Sequence, residues 1–259
     1  GDDLELTIDL SLQHIAEREL KAGVDWSGAR GGSAVVMDPS TGEILAIANY
    51  PTYNPNAYRG SSDDSRRNRA LQDLYEPGST FKMITASAAL EEKVITPEDQ
   101  IDVSAGSITF PGRPPIRDDH TYGVLSFRDV IAKSSNVGSI KVGLRVGSER
   151  FLEYMRRFGF GRRTSPDFPG DNAGLLWAPR NDSALASMLI GYEIGVTPIQ
   201  MASALSAIAN GGELMQPRVV GAVRRAGQRL PVPHKAIGRT ISERTAAELR
   251  SILEAVVEP

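Results

Sequence analysis

The sequence predicts an α+β fold in which an antiparallel sheet is flanked by helices and carries a mainly helical subdomain. Residues 33–49 hold two runs of β-branched and apolar side chains around Pro-Ser-Thr-Gly, a pattern that predicts a β-hairpin. Capped segments with helical spacing of apolar residues flank it. The 259 residues are 41% hydrophobic and 24% charged, as in an average globular protein. With no Gly/Pro-rich linker in view, we expect one domain over residues 1–259 with the helical subdomain over 70–212 inside it.

The chain before the hairpin predicts a strand and then a helix. Apolar residues alternate with polar ones over 4–8, which is the period of a half-buried strand. They then recur at helical spacing over 12–20, with Asp9 or Ser11 as the expected N-cap. Residues 50–68, after the hairpin, are rich in Pro, Asn, Ser and charge without periodicity. They predict a functional loop or a loop draped over helices.

Most of the remaining predicted elements are helices. The alanine-rich run 79–92 has one apolar face and predicts a helix that begins at or near Ser79. Ser126 and Asp129 form a pair resembling a capping box, which places a helix start there. The other predicted elements, in chain order, are extended segments within 103–115, helices over 126–133, from Val137, over 148–158 and from Pro198 to Asn210, a strand within 217–225 and a helix from Ser242 to about 257.

Composition excludes several classes of function. Lys and Arg number 29 against 32 Asp and Glu, so the net charge of −3 gives no basic field to attract nucleic acid. No apolar run approaches the roughly 18 residues that span a bilayer, and the first five residues show no signal-peptide pattern. The sequence has no Cys and only three scattered His. We therefore expect no disulfide, no thiol nucleophile, no metal site and no cofactor.

Ser79 and Lys82 form the first motif that indicates chemistry. Residues three apart share a helix face, so the Lys82 amine can reach the Ser79 hydroxyl. The positive helix end and burial both favour the neutral, proton-accepting form of the amine. Ser-x-x-Lys thereby supplies a nucleophile with its own base. The pattern alone is weak, because it occurs by chance about once in a chain of this size, and an N-cap serine followed by a solvated lysine is the alternative.

Ser134-Ser135-Asn136 forms the second motif, between two predicted helices. A Ser-x-Asn segment at a helix junction can direct a hydroxyl and a carboxamide into one cleft, the first to relay a proton and the second to hold a substrate amide. The alternative is that Ser134 or Asn136 caps the following helix. Taken without the first motif, the capping role is favoured.

The residues around both motifs strengthen them. The sequence reads LELTIDLSLQ from residue 4, GGSAVVMDPSTGEILAIANYP from 31, YEPGSTFK at 75–82, SSNVG at 134–138, GY at 191–192, VTPIQ at 196–200 and ANGG at 209–212. Together these blocks closely resemble the transpeptidase domain of class B penicillin-binding proteins over essentially the whole chain. The resemblance implies a β-lactamase/transpeptidase-like fold and a peptidoglycan D,D-transpeptidase that cross-links stem peptides and is acylated by β-lactam antibiotics.

The resemblance also implies roles for individual residues. Ser79 is the expected acylated nucleophile, its backbone N–H half of the oxyanion hole, and Lys82 the expected general base. Ser134 is expected to pass a proton to the leaving nitrogen, and Asn136 to bind the substrate amide while steadying Lys82. The implied partners are stem peptides, β-lactams and proteins of cell-wall synthesis or the divisome. The implied location is the extracytoplasmic face of a bacterial membrane, with an N-terminal anchor outside this chain.

The sequence departs from the family pattern in two places. A Lys-Thr/Ser-Gly motif is expected some twenty residues after the last helix, and the 259 residues end before it. Lys21-Ala22-Gly23 is rejected as a substitute, because it lies at the expected C-terminus of a helix long before the nucleophile. We therefore expect residues 1–259 alone to be weakly active or inactive. Glu193 stands where the family usually has Gly, which puts the local backbone in doubt.

Two other functions stay open on the sequence. A serine β-lactamase also carries Ser-Thr-Phe-Lys but resolves the acyl-enzyme with water, and the lead-in YEPG and Ser-Ser-Asn argue against it. A β-lactam sensor or a non-catalytic penicillin-binding domain is the alternative from a different class. The rate of deacylation separates the first from a transpeptidase, and acylation itself tests the second.

Three further groups of residues are given structural interpretations. The run Arg117 to His120 is interpreted as a solvated loop and not a metal or acid-base cluster. Arg66, Arg67 and Arg69 are interpreted as surface charges that balance nearby acids. Trp26 and Trp177 are expected in the core or in a cleft wall.

Overall fold

A computed structural model describes residues 1–257 and confirms the α+β class. The helices are α1 (Leu10–Ser27), α2 (Asp63–Arg66), α3 (Arg69–Gln72), α4 (Lys82–Glu91), α5 (Phe127–Ala132), α6 (Asn136–Val146), α7 (Ser148–Arg157), α8 (Asp182–Leu189), α9 (Pro198–Ala209) and α10 (Glu243–Glu254). The strands are β1 (Asp3–Leu6), β2 (Gly32–Met37), β3 (Ile44–Tyr50), β4 (Gln100–Asp102), β5 (Ser107–Ile108), β6 (Ile116–Arg117), β7 (Val124–Ser126), β8 (Glu213–Met215), β9 (Val220–Arg225), β10 (Gln228–Pro231) and β11 (Ala236–Arg239).

The strands pair as several small antiparallel sheets. The order β1-β9-β10 forms a three-stranded sheet, and β2-β3, β4-β7, β5-β6 and β8-β11 form two-stranded sheets. The predicted hairpin is β2-β3, with Val35 opposite Ile47. Its turn begins at Asp38, whose carboxylate accepts the N–H groups of Ser40 and Thr41. An aspartate that bonds the backbone two residues on is a favoured turn starter, which is why this segment reverses direction.

Helices bury one face of the hairpin. Ile44, Ala46 and Ala48 are at most 1% exposed, and α1, α3 and α9 all contact β2 or β3. Ile44 packs with Ile199 of α9 in a separate apolar cluster. Helix packing therefore removes these three side chains from water.

The largest apolar core lies among helices α4 to α10, with α4 at its centre. Eight of the ten residues of α4 are buried, including Ile84, Ala86 and Ala88 at 0% exposure. Close packing on nearly every side of a helix fixes the positions of its side chains. The helical subdomain over 70–212 stays a prediction; that range holds helices α4 to α9 and the short strands β4 to β7.

The N-terminal helix extends further than the sequence predicts. Asp9 is its N-cap, accepting the N–H groups of Ser11 and Leu12 at 2.8 and 2.9 Å, as expected. The helix then continues to Ser27 and ends at Gly28, which has φ +62. Lys21-Ala22-Gly23 therefore lies inside α1 and not at its end. Among residues 1–257, no helix is long and apolar enough to cross a lipid bilayer.

Candidate active site

Ser79 lies on an exposed turn that leads directly into the most buried helix. Residues Gly78–Phe81 form a 3-10 turn, and α4 begins at Lys82. Phe81 is 0% exposed and packs against Phe151 and Phe160, with ring centroids 6.4 and 5.1 Å away. The Phe81 ring anchors the turn in the core, whereas Ser79 in the same turn is exposed. The Ser79 N–H lies in the first turn of the helical segment, where N–H groups lack partners within the helix.

Lys82 is buried and contacts the second motif. Its side chain is 3% exposed, and Nζ donates to the carbonyl oxygen of Ser134 at 2.6 Å and to Ser134 Oγ at 3.0 Å. Burial lowers the pKa of Lys82 to about 8, against the opposing charges of Asp118 and Asp119. The amine is therefore within reach of its neutral form near physiological pH. The alternative of a solvated lysine is wrong.

The second motif is a strained turn between α5 and α6. Ser134 is exposed and has φ +56, a backbone conformation that L-residues seldom adopt. Ser135 is 1% exposed and is the N-cap of α6, its Oγ accepting the N–H of Gly138 at 2.9 Å. Asn136 is half-buried, and its Nδ2 donates to the Arg117 carbonyl at 2.8 Å. The helix cap is thus Ser135, which leaves Ser134 free to meet Lys82.

Three of the four predicted site residues, Ser79, Lys82 and Ser134, are linked by the chain or by a hydrogen bond. Ser79 lies in the 3-10 turn directly before Lys82, and Lys82 donates a hydrogen bond to Ser134. In the described part of the chain the side-chain hydrogen bonds of Lys82 go to Ser134 and none joins it to Ser79. Asn136 follows two residues after Ser134 and bonds Arg117, so the expectation that it steadies Lys82 is not seen in these contacts.

Asp118 is a site residue that the sequence interpretation missed. Its carboxylate accepts the Ser135 hydroxyl at 2.8 Å and the Val137 N–H at 3.0 Å. The interpretation of residues 117–120 as a solvated loop is therefore wrong for Asp118, although Asp119 and His120 are exposed. The partners lie 17 and 19 residues further along the chain. No local spacing rule reveals a contact between a strand end and a helix start at that separation.

A second loop supports the turn that carries Ser79. The Gly78 N–H donates to the Gly191 carbonyl at 3.0 Å, and the Glu193 N–H donates to Glu76 Oε1 at 2.8 Å. Glu193 has φ +58, the left-handed conformation that favours glycine, which explains why its side chain put this backbone in doubt. Its carboxylate pairs with Arg113 at 2.9 Å. The loop over 191–193 therefore holds the residues just before Ser79.

Gly191→Ala is expected to disturb this support strongly. Gly191 has φ +82, and a Cβ there would lie 2.2 Å from the Gly78 carbonyl oxygen. Backbone strain and overpacking together should destabilise the protein by about 3 kcal/mol or more and slow any reaction at Ser79. The matched control is Gly28→Ala, where φ is +62 and no atom lies within 4 Å, so the loss should be about 1 to 2 kcal/mol. Denaturant unfolding of both variants measures the difference, and equal losses would show that the close approach does not matter.

The arginines and tryptophans only partly follow their interpretations. Arg66 pairs with Asp63 and Arg69 with Asp64, so the interpretation that they balance nearby acids is confirmed. Arg69 is only 15% exposed and also pairs with Asp73 at 2.9 Å, so its place at the surface is wrong. Trp26 is 90% exposed, and its expected place in the core or a cleft wall is wrong. Trp177 lines an open cavity of about 340 Å³ beside the segment that leads to Ser79, which agrees with a cleft wall.

Ser-x-x-Lys at the entry to the most buried helix and the Ser-x-Asn turn that contacts it are the two motifs by which the chain resembles penicillin-binding proteins. The model of the family described as "Penicillin binding protein transpeptidase domain" matches residues 32–259. The chain belongs to this family, as a transpeptidase domain of the class B penicillin-binding protein type.

Similar proteins carry names that agree with this membership. The chain is 37% identical over its whole length to "Probable peptidoglycan D,D-transpeptidase PbpC" of Pseudomonas aeruginosa, covering 44% of that protein. It is 36% identical to "Penicillin-binding protein PbpB" of Mycolicibacterium smegmatis, covering 100% of the chain and 40% of that protein. The chain thus spans about two fifths of the length of these relatives.

Solved structures share the fold over the full chain. Penicillin binding protein 3 from Mycobacterium tuberculosis, complexed with aztreonam, is similar with a TM-score of 0.91 at 35% identity, over 100% of this chain and 59% of that one. The transpeptidase domain of Burkholderia pseudomallei penicillin-binding protein 3 is similar with a TM-score of 0.84 at 36% identity, over 98% of this chain and 70% of that one. The β-lactamase/transpeptidase-like fold is therefore confirmed.

Proposed function

We propose that this domain is a peptidoglycan D,D-transpeptidase that works through a serine acyl-enzyme and is acylated by β-lactams. The observation that carries the proposal is a buried Lys82, with its pKa lowered to about 8, held between the exposed Ser79 turn and the hydroxyl of Ser134. A buried lysine close to neutrality can accept a proton, as a solvated lysine cannot. The names of the relatives, which include a D,D-transpeptidase, support the same conclusion.

The first half of the proposed reaction is acylation of Ser79. The Ser79 hydroxyl loses its proton to the neutral Lys82 amine as Oγ attacks the carbonyl carbon of a D-Ala-D-Ala peptide bond. The Ser79 N–H stabilises the developing oxyanion. Asn136 binds a substrate amide with the carboxamide groups that its bond to the Arg117 carbonyl does not use. Lys82 returns the proton through Ser134 to the leaving nitrogen, the C–N bond breaks, and D-Ala departs as the free amine.

The second half transfers the acyl group to a neighbouring stem peptide. The amine of that peptide attacks the ester carbonyl, gives its proton to the same Lys82 and Ser134 pair, and releases Ser79 as a hydroxyl. Lys82 must turn from Ser134 toward Ser79 during each half. Catalytic hydrogen bonds are often long or differently directed before substrate binds, so the contact with Ser134 agrees with this exchange. A β-lactam enters the first half as an amide and leaves Ser79 acylated.

The setting of the reaction follows from its substrate. We place the domain on the extracytoplasmic side of the bacterial membrane, where peptidoglycan is cross-linked, with anchoring by a segment outside residues 1–259. Proteins of cell-wall synthesis or the divisome are the proposed partners. The net charge of −3 offers no support for a nucleic acid as a partner.

The experiment is the intact mass of the natural polypeptide before and after exposure to penicillin. We expect one added penicillin, mapped to Ser79 and absent from Ser79→Ala. An adduct on any other residue, or none, would contradict the proposal. Fast release of hydrolysed penicillin would instead identify a β-lactamase.

The same measurement on residues 1–259 tests the proposal that this part alone is weakly active. It carries Ser79 and Lys82 but no Lys-Thr/Ser-Gly sequence after the second motif. In the family that the sequence resembles, the strand with that motif supplies the other oxyanion-hole donor. Losing one such donor typically costs about 10² to 10³ in rate, so labelling should be slower by at least that factor. Equal labelling rates for residues 1–259 and the natural polypeptide would contradict this.

A further inference from the structure

Asp118 contacts the second motif without reaching the reacting atoms proposed above. We propose that Asp118 is a positioning residue for the acyl-transfer reaction, because it holds the Ser134–Asn136 turn in place and supplies a negative charge that Lys82 faces. The inference rests on the proposed function, since it concerns how quickly Ser79 is acylated. It rests on the hydrogen bonds of Asp118, on the backbone strain at Ser134 and on the negative charge near Lys82.

The hydrogen bonds of Asp118 engage the start of α6 at two points. Oδ2 accepts the Ser135 hydroxyl at 2.8 Å, and Oδ1 accepts the Val137 N–H at 3.0 Å. Ser135 Oγ in turn accepts the Gly138 N–H. The carbonyl of the preceding Arg117 accepts the Asn136 amide. Arg117, the last residue of β6, and the next residue Asp118 therefore accept hydrogen bonds from three consecutive residues at the start of α6, Ser135 to Val137.

The turn needs such support because Ser134 is strained. Its φ of +56 is sparsely populated for a serine, and residues in such conformations persist only where their surroundings hold them. On the α5 side, the Ser134 and Ser135 N–H groups donate to the carbonyls of Ile131 and Val130 at 3.0 and 2.9 Å. On the α6 side, Asp118 supplies the side-chain contacts. The turn is thus stabilised by backbone hydrogen bonds from α5 and by the Asp118 carboxylate at the start of α6.

Asp118 is itself positioned by the β5-β6 hairpin. Its N–H donates to the Gly106 carbonyl at 3.1 Å. Ile108 and Ile116 of the hairpin pack onto the apolar cluster around Ile140 of α6. At the hairpin tip, Arg113 donates to Ser187 Oγ at 2.7 Å and pairs with Glu193. A carboxylate fixed in this way is available to the turn without reorganisation.

The charge of Asp118 acts on Lys82. The ionised groups that face Lys82 in the described structure are Asp118 and Asp119, and both favour the ammonium form against the effect of burial. Removing either charge should lower the pKa of Lys82 further below about 8. More of the amine is then neutral at lower pH, so the rise of the acylation rate with pH should move toward acid. A residue that only stabilised the fold would not move that profile.

The test compares three variants of the natural polypeptide by their acylation rate with a fluorescent penicillin across pH 5 to 10. Asp118→Asn should shift the midpoint to lower pH by about half a unit or more and lower the plateau rate about tenfold. Asp119→Asn is the matched control, since Asp119 is exposed and makes no side-chain hydrogen bond in the described structure. It should shift the midpoint with the plateau kept. Asp118→Glu keeps the charge and should lower the plateau with the midpoint kept.

The outcomes distinguish this inference from the proposed function. If Asp118→Asn folds and both its midpoint and plateau match the wild type, the positioning role is wrong. If Asp118→Asn does not fold, an unchanged plateau in Asp118→Glu overturns the role and a lowered plateau supports it. If the wild type is not acylated at Ser79 at all, the proposed function fails, independently of any variant.

Discussion

Lys82→Ala is expected to slow acylation of Ser79 by about 10² to 10⁴-fold, the usual worth of a general base. Lys82 is 3% exposed and its amine is the group that bonds Ser134, so the substitution removes the proton acceptor from the site. The substitution removes buried methylenes, which costs packing, but it also removes the desolvation cost of the buried amine, so the protein should still fold. The measurement is the rate of labelling by a fluorescent penicillin in the natural polypeptide, with thermal unfolding as a check on the fold.

Two companion variants isolate the role of the amine. Lys141→Ala is the matched control, since Lys141 also donates to a backbone carbonyl, that of Asp102 at 2.6 Å, on a different part of the surface. It should label at the wild-type rate. Lys82→Arg keeps the positive charge but cannot lose it near neutral pH, so it should be as slow as Lys82→Ala. A folded Lys82→Ala protein that labels as quickly as the wild type would refute the base assignment.

The second large effect is expected from neighbouring serines with opposite roles. Ser134→Ala removes the hydroxyl that accepts from Lys82 and should slow acylation about 10²-fold or more. The side chain is exposed, so the free energy of unfolding should change by less than about 0.5 kcal/mol. Labelling rates and denaturant unfolding, measured together, separate the two quantities.

Ser135→Ala should show the reverse pattern. The residue is 1% exposed and caps α6, so its loss should cost about 1 to 2 kcal/mol of stability. The Val137 N–H still reaches Asp118, so the turn stays held and acylation should slow only a few-fold. Equal losses of acylation in both variants would mean that the proton relay is assigned to the wrong serine.

Local rules predicted much of the fold. Thr197 and Ser242 are the N-caps of α9 and α10, and Ser126 and Asp129 open α5, as their spacing indicated. The helix α8 was missed, because residues 182–189 mix Ala, Ser and Leu without a clear apolar face. Its buried serines instead bond backbone carbonyls and Arg113, contacts that depend on the tertiary arrangement.

In the candidate site, too, local spacing predicted some contacts and tertiary packing decided the others. Ser79 lies in the 3-10 turn that leads directly into α4 at Lys82, so the short distance between them along the chain follows from spacing alone. The contact between Lys82 and Ser134 joins residues 52 apart, and only resemblance to a family suggested it in advance. Asp118 had neither local spacing nor a motif to indicate it. Its role depends on a strand end meeting a helix start, which packing decides.

The burial of α4 also bears on how this domain can change over evolutionary time. The helix that carries Lys82 is lined by Ala86, Ala88 and Ala89, each at 0% exposure, so a larger side chain there must displace its neighbours. Substitutions inside this helix therefore have little room. Side chains that are exposed near the segment leading to Ser79, such as Tyr75 and Trp177, can be exchanged with less effect on the core. The helix that carries Lys82 therefore tolerates little change in side-chain volume, whereas exposed positions near Ser79 tolerate more.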